Sequence, residues 1–229
     1  MFREKKEKIM AGVAAALKKS GRTDSVTLLA VSKTFPVTSI IEAYREGQRS
    51  FGESRIQEAL EKKEQLADFK DLDMHFIGHL QTNKVKFLKD NFKLIHSLDR
   101  LPLLDILERY FKKECLSQDV LIQVNIAKDP AKSGVDVDSL PALLEAASKC
   151  DHINIKGFAM MPPLVENPEE NRIHFAETKK LMDKMNAEFA CDNIDLKILS
   201  MGMTDDYKIA IEEGATLIRI GTALFGGRY

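Results

Sequence analysis

Apolar positions recur with a helical period in some stretches of the chain and crowd into short aliphatic runs in others, and the two kinds alternate throughout. Residues 2–20 place Ile9, Met10, Val13, Ala14 and Leu17 on one face and predict an amphipathic helix that stops at Gly21. The run Val26-Thr27-Leu28-Leu29-Ala30-Val31-Ser32-Lys33 has no polar alternation and predicts a strand buried on both faces. Ser39 and Glu42 have the spacing of a capping box and predict a helix running through Tyr44. Residues 49–53 predict a second strand, followed by a helix over 55–67. Strands three to eight are predicted at 74–78, 94–98, 120–125, 153–160, 196–200 and 216–221. The helices between them are predicted at 84–89, 101–114, 138–149, from about 168 to 189 after a Pro-Pro loop, and at 206–213.

Strands alternating with helices in this way predict an α/β protein, a (β/α)8 TIM barrel. After the eighth strand too few residues remain for a long closing helix, so the extra N-terminal helix is expected to cover part of the barrel. A doubly wound open sheet is the rival architecture. No linker, repeat or low-complexity segment interrupts the pattern, so residues 1–229 are expected to form one domain.

Composition narrows the partners. The net charge is −1, and no basic excess points to nucleic acid or an anionic membrane. The start, Met1 to Lys8, is highly charged and lacks the apolar core of a signal peptide, and no apolar stretch is long enough to span a bilayer. Cys115, Cys150 and Cys191 are widely spaced, form no metal motif and suggest a reducing compartment. These features predict a soluble cytoplasmic protein, and nothing in them demands more than a monomer.

In a barrel, chemistry sits at the carboxyl ends of the strands. Lys33 ends the first strand there. Desolvation at that position would lower its proton affinity and make the amine a nucleophile for carbonyls; a solvated lysine marking the strand end is the other reading. Ser200-Met201-Gly202-Met203-Thr204 follows strand seven and Gly221-Thr222 follows strand eight, the two loops with which barrels commonly bind phosphate. Gly202 and Gly221 let backbone amides approach an anion, and Thr204 and Thr222 add hydroxyl donors. Thr204 would also start a helix near Asp205, although Asp205 and Asp206 can satisfy that helix end themselves. A strand-end amine opposite a phosphate site suits an aldehyde that carries a phosphate, such as pyridoxal 5′-phosphate (PLP). Arg219 lies two residues before Gly221 and shares its face. An inward arginine needs a partner, either a ring nitrogen of such a cofactor or a carboxylate such as Glu53 in a structural ion pair. His75 and His79 flank strand three but lack further metal ligands, so no metal is expected. Lys132, in the loop after strand five, should share the face of Lys33 and is a candidate for a second, transient PLP contact; a solvated loop lysine is the alternative.

The segments Leu29-Ala30-Val31-Ser32-Lys33-Thr34, Phe51-Gly52-Glu53, His75 to Lys84, Lys132-Ser133-Gly134, Gly157-Phe158-Ala159-Met160, Met201 to Asp206 and Arg219 to Gly226 together resemble the pyridoxal phosphate homeostasis protein family. The resemblance covers nearly the whole chain. It implies a fold similar to the barrel domain of alanine racemase without the racemase's second domain. It also implies PLP held as a Schiff base on Lys33, a phosphate held by Thr204, Gly221 and Thr222 in the loops that carry Ser200, Gly202 and Met203, and Arg219 against the pyridine nitrogen. Ser54 stands where the family usually has Asn, and Thr204 where it usually has Ser.

An arginine beside the ring nitrogen disfavours its protonation and weakens the ring as an electron sink. Racemisation also needs an acid–base group on the opposite face, and Tyr44, Tyr110, Tyr207 and Tyr229 fall in helical regions or at the terminus rather than at strand ends. The expectation is a PLP-binding protein that holds the cofactor, and delivers it to PLP-dependent apo-enzymes, with little or no catalysis. The alternatives are a PLP-dependent amino-acid racemase or decarboxylase, and an aldolase-type barrel using Lys33 on its substrate.

Overall fold

A computed structural model describes residues 1–129 and 132–227. Its strands are β1 (Thr27–Val31), β2 (Ser50–Glu53), β3 (Asp73–Phe76), β4 (Leu94–Leu98), β5 (Gln118–Val124), β6 (Ile153–Met160), β7 (Ile194–Ser200) and β8 (Leu217–Ile220). They are parallel and close into a barrel in sequence order. β8 returns to β1 with Arg219 opposite Leu29, so the open-sheet alternative is excluded.

The helices are α1 (Phe2–Lys19), α2 (Val37–Arg45), α3 (Ile56–Gln65), α4 (Leu101–Lys113), α5 (Leu140–Ala147), α6 (Arg172–Phe189), α7 (Tyr207–Glu212) and α8 (Thr222–Phe225). Several boundaries differ from the sequence pattern for local reasons. α2 begins before Ser39, because Pro36 occupies the N-cap with a pre-set φ of −68° and no side-chain cap is made. The segment expected as a short helix at 84–89 is a 3₁₀ turn, Thr82–Phe87. α7 begins at Tyr207, so Thr204 lies in the turn before it rather than on its first residue.

α8 is a single turn, and α1 closes the space beside it. Phe2 meets Phe225 with ring centroids 5.6 Å apart, and Phe35 meets the same ring at 5.0 Å. The buried face of α1 is Phe2, Ile9, Val13 and Ala16, whereas Met10 and Ala14, expected on that face, are exposed. α1 packs against α7, α8 and α2, and Phe2 and Ala16 fall on its buried face.

The main core lies between sheet and helices. Each large aliphatic or aromatic side chain buried there contributes about 1.5–3 kcal/mol of transfer free energy. Leu94, Leu121 and Ala159 pack with Ile198 in a separate small cluster. Polar side chains also reach the barrel interior. The Nδ1 of His96 on β4 lies 3.1 Å from the Ser200 hydroxyl on β7, a contact between strands that are not neighbours and therefore across the lumen. β6 and β7 approach most closely at Gly157, where φ is +147° and a Cβ would fall 1.9 Å from the Ile198 carbonyl oxygen. Only glycine permits that contact, and the pairing register shifts beside it.

Candidate functional site

Lys33 follows the end of β1 by two residues, in a turn. The turn is constrained from several directions. Thr34 has φ +68°, an uncommon value for a β-branched residue, and its N–H donates to Glu58 Oε1 at 2.6 Å. Lys62, one turn further along α3, donates to the Ser32 carbonyl at 2.8 Å. It also donates to Glu53 Oε1 at 2.8 Å and to Glu58 Oε1 at 2.7 Å. The Ser32 hydroxyl donates to the same Glu53 oxygen at 2.6 Å. Burial raises the Glu53 carboxyl above the usual carboxylate range, opposed by its hydrogen bonds from Lys62 and Ser32. Lys33 itself is half-buried. The turn after β1 is therefore held through Ser32 and Thr34, on either side of Lys33.

The loops after β7 and β8 lie side by side because those strands are paired, Ser200 with Leu217. Gly202 has φ +91°, and a Cβ there would stand 2.7 Å from Ala210 Cβ, so the loop tucks under α7 only as glycine. Asp206 turns back to accept the Met203 N–H at 2.6 Å. It therefore spends its carboxylate within the loop, and it removes the Met203 amide from the groups that can meet an anion. Burial raises the Asp206 carboxyl, opposed by that bond. The backbone N–H groups of Thr204, Thr222 and Ala223 donate to nothing among the described residues. Gly221 has an ordinary φ of −113° and lies against Val31 of β1, which brings this loop beside the strand that leads to Lys33.

Arg219 projects into the lumen and is 8% exposed. Nη1 donates to the Ser200 carbonyl at 2.6 Å and to the Ser200 hydroxyl at 2.7 Å, and Nη2 donates to the Met160 carbonyl at 2.8 Å. The ion pair with Glu53 that the sequence left open is not formed, since Glu53 is held by Lys62 and Ser32. Burial lowers the guanidinium to about 10, partly offset by the charge of Asp206. Beyond Ser200 the polar chain continues. His96 Nε2 lies 3.1 Å from His75 Nδ1. Desolvation pushes His75 down to about 4 and His96 well below its ordinary value, so both rings are neutral at pH 7.

Lys33, Ser200, Gly202, Met203, Thr204, Arg219, Gly221 and Thr222 thus all lie in or beside the ends of β1, β7 and β8. The Ser200 hydroxyl and the Met203 amide are committed to protein partners, whereas Thr204 and Thr222 are half-buried and exposed respectively. Lys132 lines a cavity of about 270 Å3 with Pro162, Met203 and Asp206 and donates to the Pro162 carbonyl. His79 takes no part with His75; it stands 3.6 Å from Asp99. Among the described residues no three His, Cys, Asp or Glu side chains could hold a metal. No helix of those residues is long and apolar enough to cross a membrane.

The sequence reading did not find His96 or the Lys62 cluster. Lys62 carried a signal: Ile56, Ala59 and Lys62 recur on one helical stripe, so the lysine falls among buried positions. His96 carried a weaker one, a polar residue inside Leu94-Ile95-His96-Ser97-Leu98, a strand buried along its whole length.

The sequence and the closed barrel together place the chain in a class of proteins. Residues 11–229 match the alanine racemase N-terminal domain. The structure of alanine racemase from Corynebacterium glutamicum shares the fold, with a TM-score of 0.68 at 16% identity, over 95% of this chain and 60% of that one. Within that class the chain belongs to the pyridoxal phosphate homeostasis protein family. It is 42% identical to the pyridoxal phosphate homeostasis protein of Aquifex aeolicus over 226 residues, 98% of this chain and 97% of the relative. The structure of PipY from Synechococcus elongatus, solved with PLP bound, superposes with a TM-score of 0.87 at 35% identity, covering 99% of this chain and all (100%) of that one.

The neutral histidines predict a pH dependence. A histidine whose folded pKa is about 4, against 6.5 unfolded, favours the folded state fully above pH 6.5 and loses that contribution as pH falls toward 4. Over pH 7 to 5 the His75 share amounts to about 2 kcal/mol. Urea unfolding at pH 7, 6 and 5 should show that decline, and His75→Gln should make it shallower. Equal slopes for the two proteins would show that His75 is not held neutral.

Proposed function

We propose that this protein binds PLP and takes part in its homeostasis, holding the cofactor at the carboxyl ends of β1, β7 and β8. The observation that carries this reading is Arg219. It is a buried cation whose hydrogen-bond acceptors are a hydroxyl and two carbonyls, with no carboxylate among them. Of its five donors three are used, so two remain, and a pyridine nitrogen is an acceptor that would take one. The neighbouring groups fit the rest of the molecule. The amides of Thr204, Thr222 and Ala223 and the two threonine hydroxyls suit a phosphate, and Lys33 supplies the amine. The name of the Aquifex relative and the PLP-bound PipY structure point to the same ligand.

When bound, PLP supplies an aldehyde that condenses with an amine and releases water. The chain's own residues then do the holding. Lys33 would supply that amine from a turn fixed by Glu58 and Lys62, Arg219 would donate to the ring nitrogen, and the β7 and β8 loops would hold the phosphate. An arginine in that place would disfavour protonation of the nitrogen, which works against carbanion chemistry. A second-face proton donor is also hard to place among the described tyrosines. Tyr44 donates to Asp71, Tyr110 donates to the Lys86 carbonyl, and the Tyr207 hydroxyl lies against α1 beside Gly12. Tyr229 lies outside the described residues. We therefore read the whole chain as one PLP-holding unit, a cytoplasmic monomer that passes PLP to apo-enzymes and has little or no catalysis of its own. The cavity that Lys132 shares with Met203 and Asp206 supports a transient contact of this lysine with the cofactor as part of the same reading.

Purified protein should be yellow, and borohydride reduction should fix a pyridoxyl group on Lys33, with Lys33→Ala colourless. Label found only on surface lysines such as Lys5 or Lys89 would remove the assignment. The cradle is tested by replacing Thr204 and Thr222 together with alanine. Each hydrogen bond lost to a charged phosphate weakens binding by about 1.5–3 kcal/mol, while pyridoxal, which has no phosphate, should bind nearly unchanged. Equal losses for the two ligands would place the phosphate elsewhere.

A further inference from the structure

The Arg219–Ser200–His96–His75 chain has a direction, and the direction assigns it a task. An arginine only donates hydrogen bonds. Ser200 Oγ must therefore accept from Nη1 at 2.7 Å, and its own proton needs an acceptor in turn. His96 Nδ1, 3.1 Å away, is the available one. A neutral His96 that accepts at Nδ1 carries its proton on Nε2, which then donates to His75 Nδ1 at 3.1 Å. The same logic puts the His75 proton on Nε2. His75 lines a cavity of about 490 Å3 with Thr27, Ser50 and Lys93, and these residues lie at or before the amino ends of their strands. The chain thus starts at Arg219, near the carboxyl ends of the strands, and runs down the lumen toward the opposite mouth. Every bond points the same way, so each donor is made a better acceptor by the bond it makes next.

Packing alone does not ask for this arrangement. Leu94 and Leu121 fill the lumen beside it, and two buried imidazoles cost desolvation that aliphatic side chains would not. What the chain does accomplish is to fix the Ser200 hydroxyl, which with the Ser200 and Met160 carbonyls sets the plane of the guanidinium.

We propose that His96 and His75 are positioning residues for the cofactor ring: through Ser200 they hold Arg219 in the one orientation that aims a free donor at the pyridine nitrogen. The inference rests on the placement of Arg219 under the proposed function, and its test keeps the two apart. The probes are PLP and its 1-deaza analogue, in which the ring nitrogen is replaced by C–H. Dissociation constants for both are measured with the unaltered full-length protein and with the Arg219→Gln, His96→Leu and His96→Asn variants.

His96→Leu should weaken PLP roughly tenfold, the loss of about one well-placed hydrogen bond, and shift the deaza analogue by less than about twofold. His96→Asn keeps an oxygen acceptor near the place of Nδ1 and should restore most of the PLP affinity. Loss of both ligands alike in His96→Leu, or of neither, would overturn the positioning role. Should His96→Leu fail to fold, Ser200→Ala breaks the same chain with a smaller change and is held to the same outcomes. In Arg219→Gln the preference for PLP over its analogue should disappear. A preference that survives would overturn the Arg219 assignment and the inference together, whereas one that disappears there but is untouched in His96→Leu overturns the inference alone.

Discussion

A guanidinium inside a barrel is the constraint around which this structure is arranged. An arginine buried without hydrogen bonds would be prohibitively costly, and a carboxylate partner would have neutralised it. Arg219 has instead the Ser200 carbonyl and hydroxyl and the Met160 carbonyl. These acceptors satisfy part of its donor set without supplying a counter-charge, and Asp206 offsets the positive charge only in part. The polar lumen, the neutral histidines and the glycine that lets β7 turn under α7 all serve that placement. The cation sits one strand from the turn that carries Lys33, since β8 pairs with β1.

The same cation bears on what the site can do with a pyridine ring. A positive charge opposite the ring nitrogen repels a proton there, and an unprotonated ring withdraws electrons poorly. Under the proposed function, the binding geometry and the limit on chemistry come from one residue. The turn after β1 adds a complementary feature. Glu58 and Lys62 hold the backbone on either side of Lys33, and Thr34 is kept at a positive φ. Rigidity is placed in the backbone of the lysine rather than in groups that would act on a substrate.

Much of this was legible in the chain because barrels repeat a simple rule. Aliphatic runs at regular intervals gave eight strands, and the rule that chemistry sits at their carboxyl ends picked out Lys33, Thr204 and Thr222. Arg219 was visible as a charge in an aliphatic strand two residues from a loop glycine. The boundaries were less legible where one residue overrides a pattern: Pro36 starts α2 before the Ser39–Glu42 spacing could, and Asp206 spends itself on the Met203 amide rather than on α7. Contacts across the lumen were not legible at all. His96 and Ser200 are 104 residues apart in the chain, and only closure of the barrel brings them together.

Under the proposed function, this site holds PLP without using it on amino acids. The most direct measurement is deuterium exchange at Cα, with chiral analysis, for L- and D-alanine, serine and lysine incubated with PLP-loaded protein. The account predicts exchange many orders of magnitude below the rate typical of enzymes, with no inversion of configuration. Exchange or racemisation approaching ~10 s⁻¹ would contradict it and make the protein a racemase.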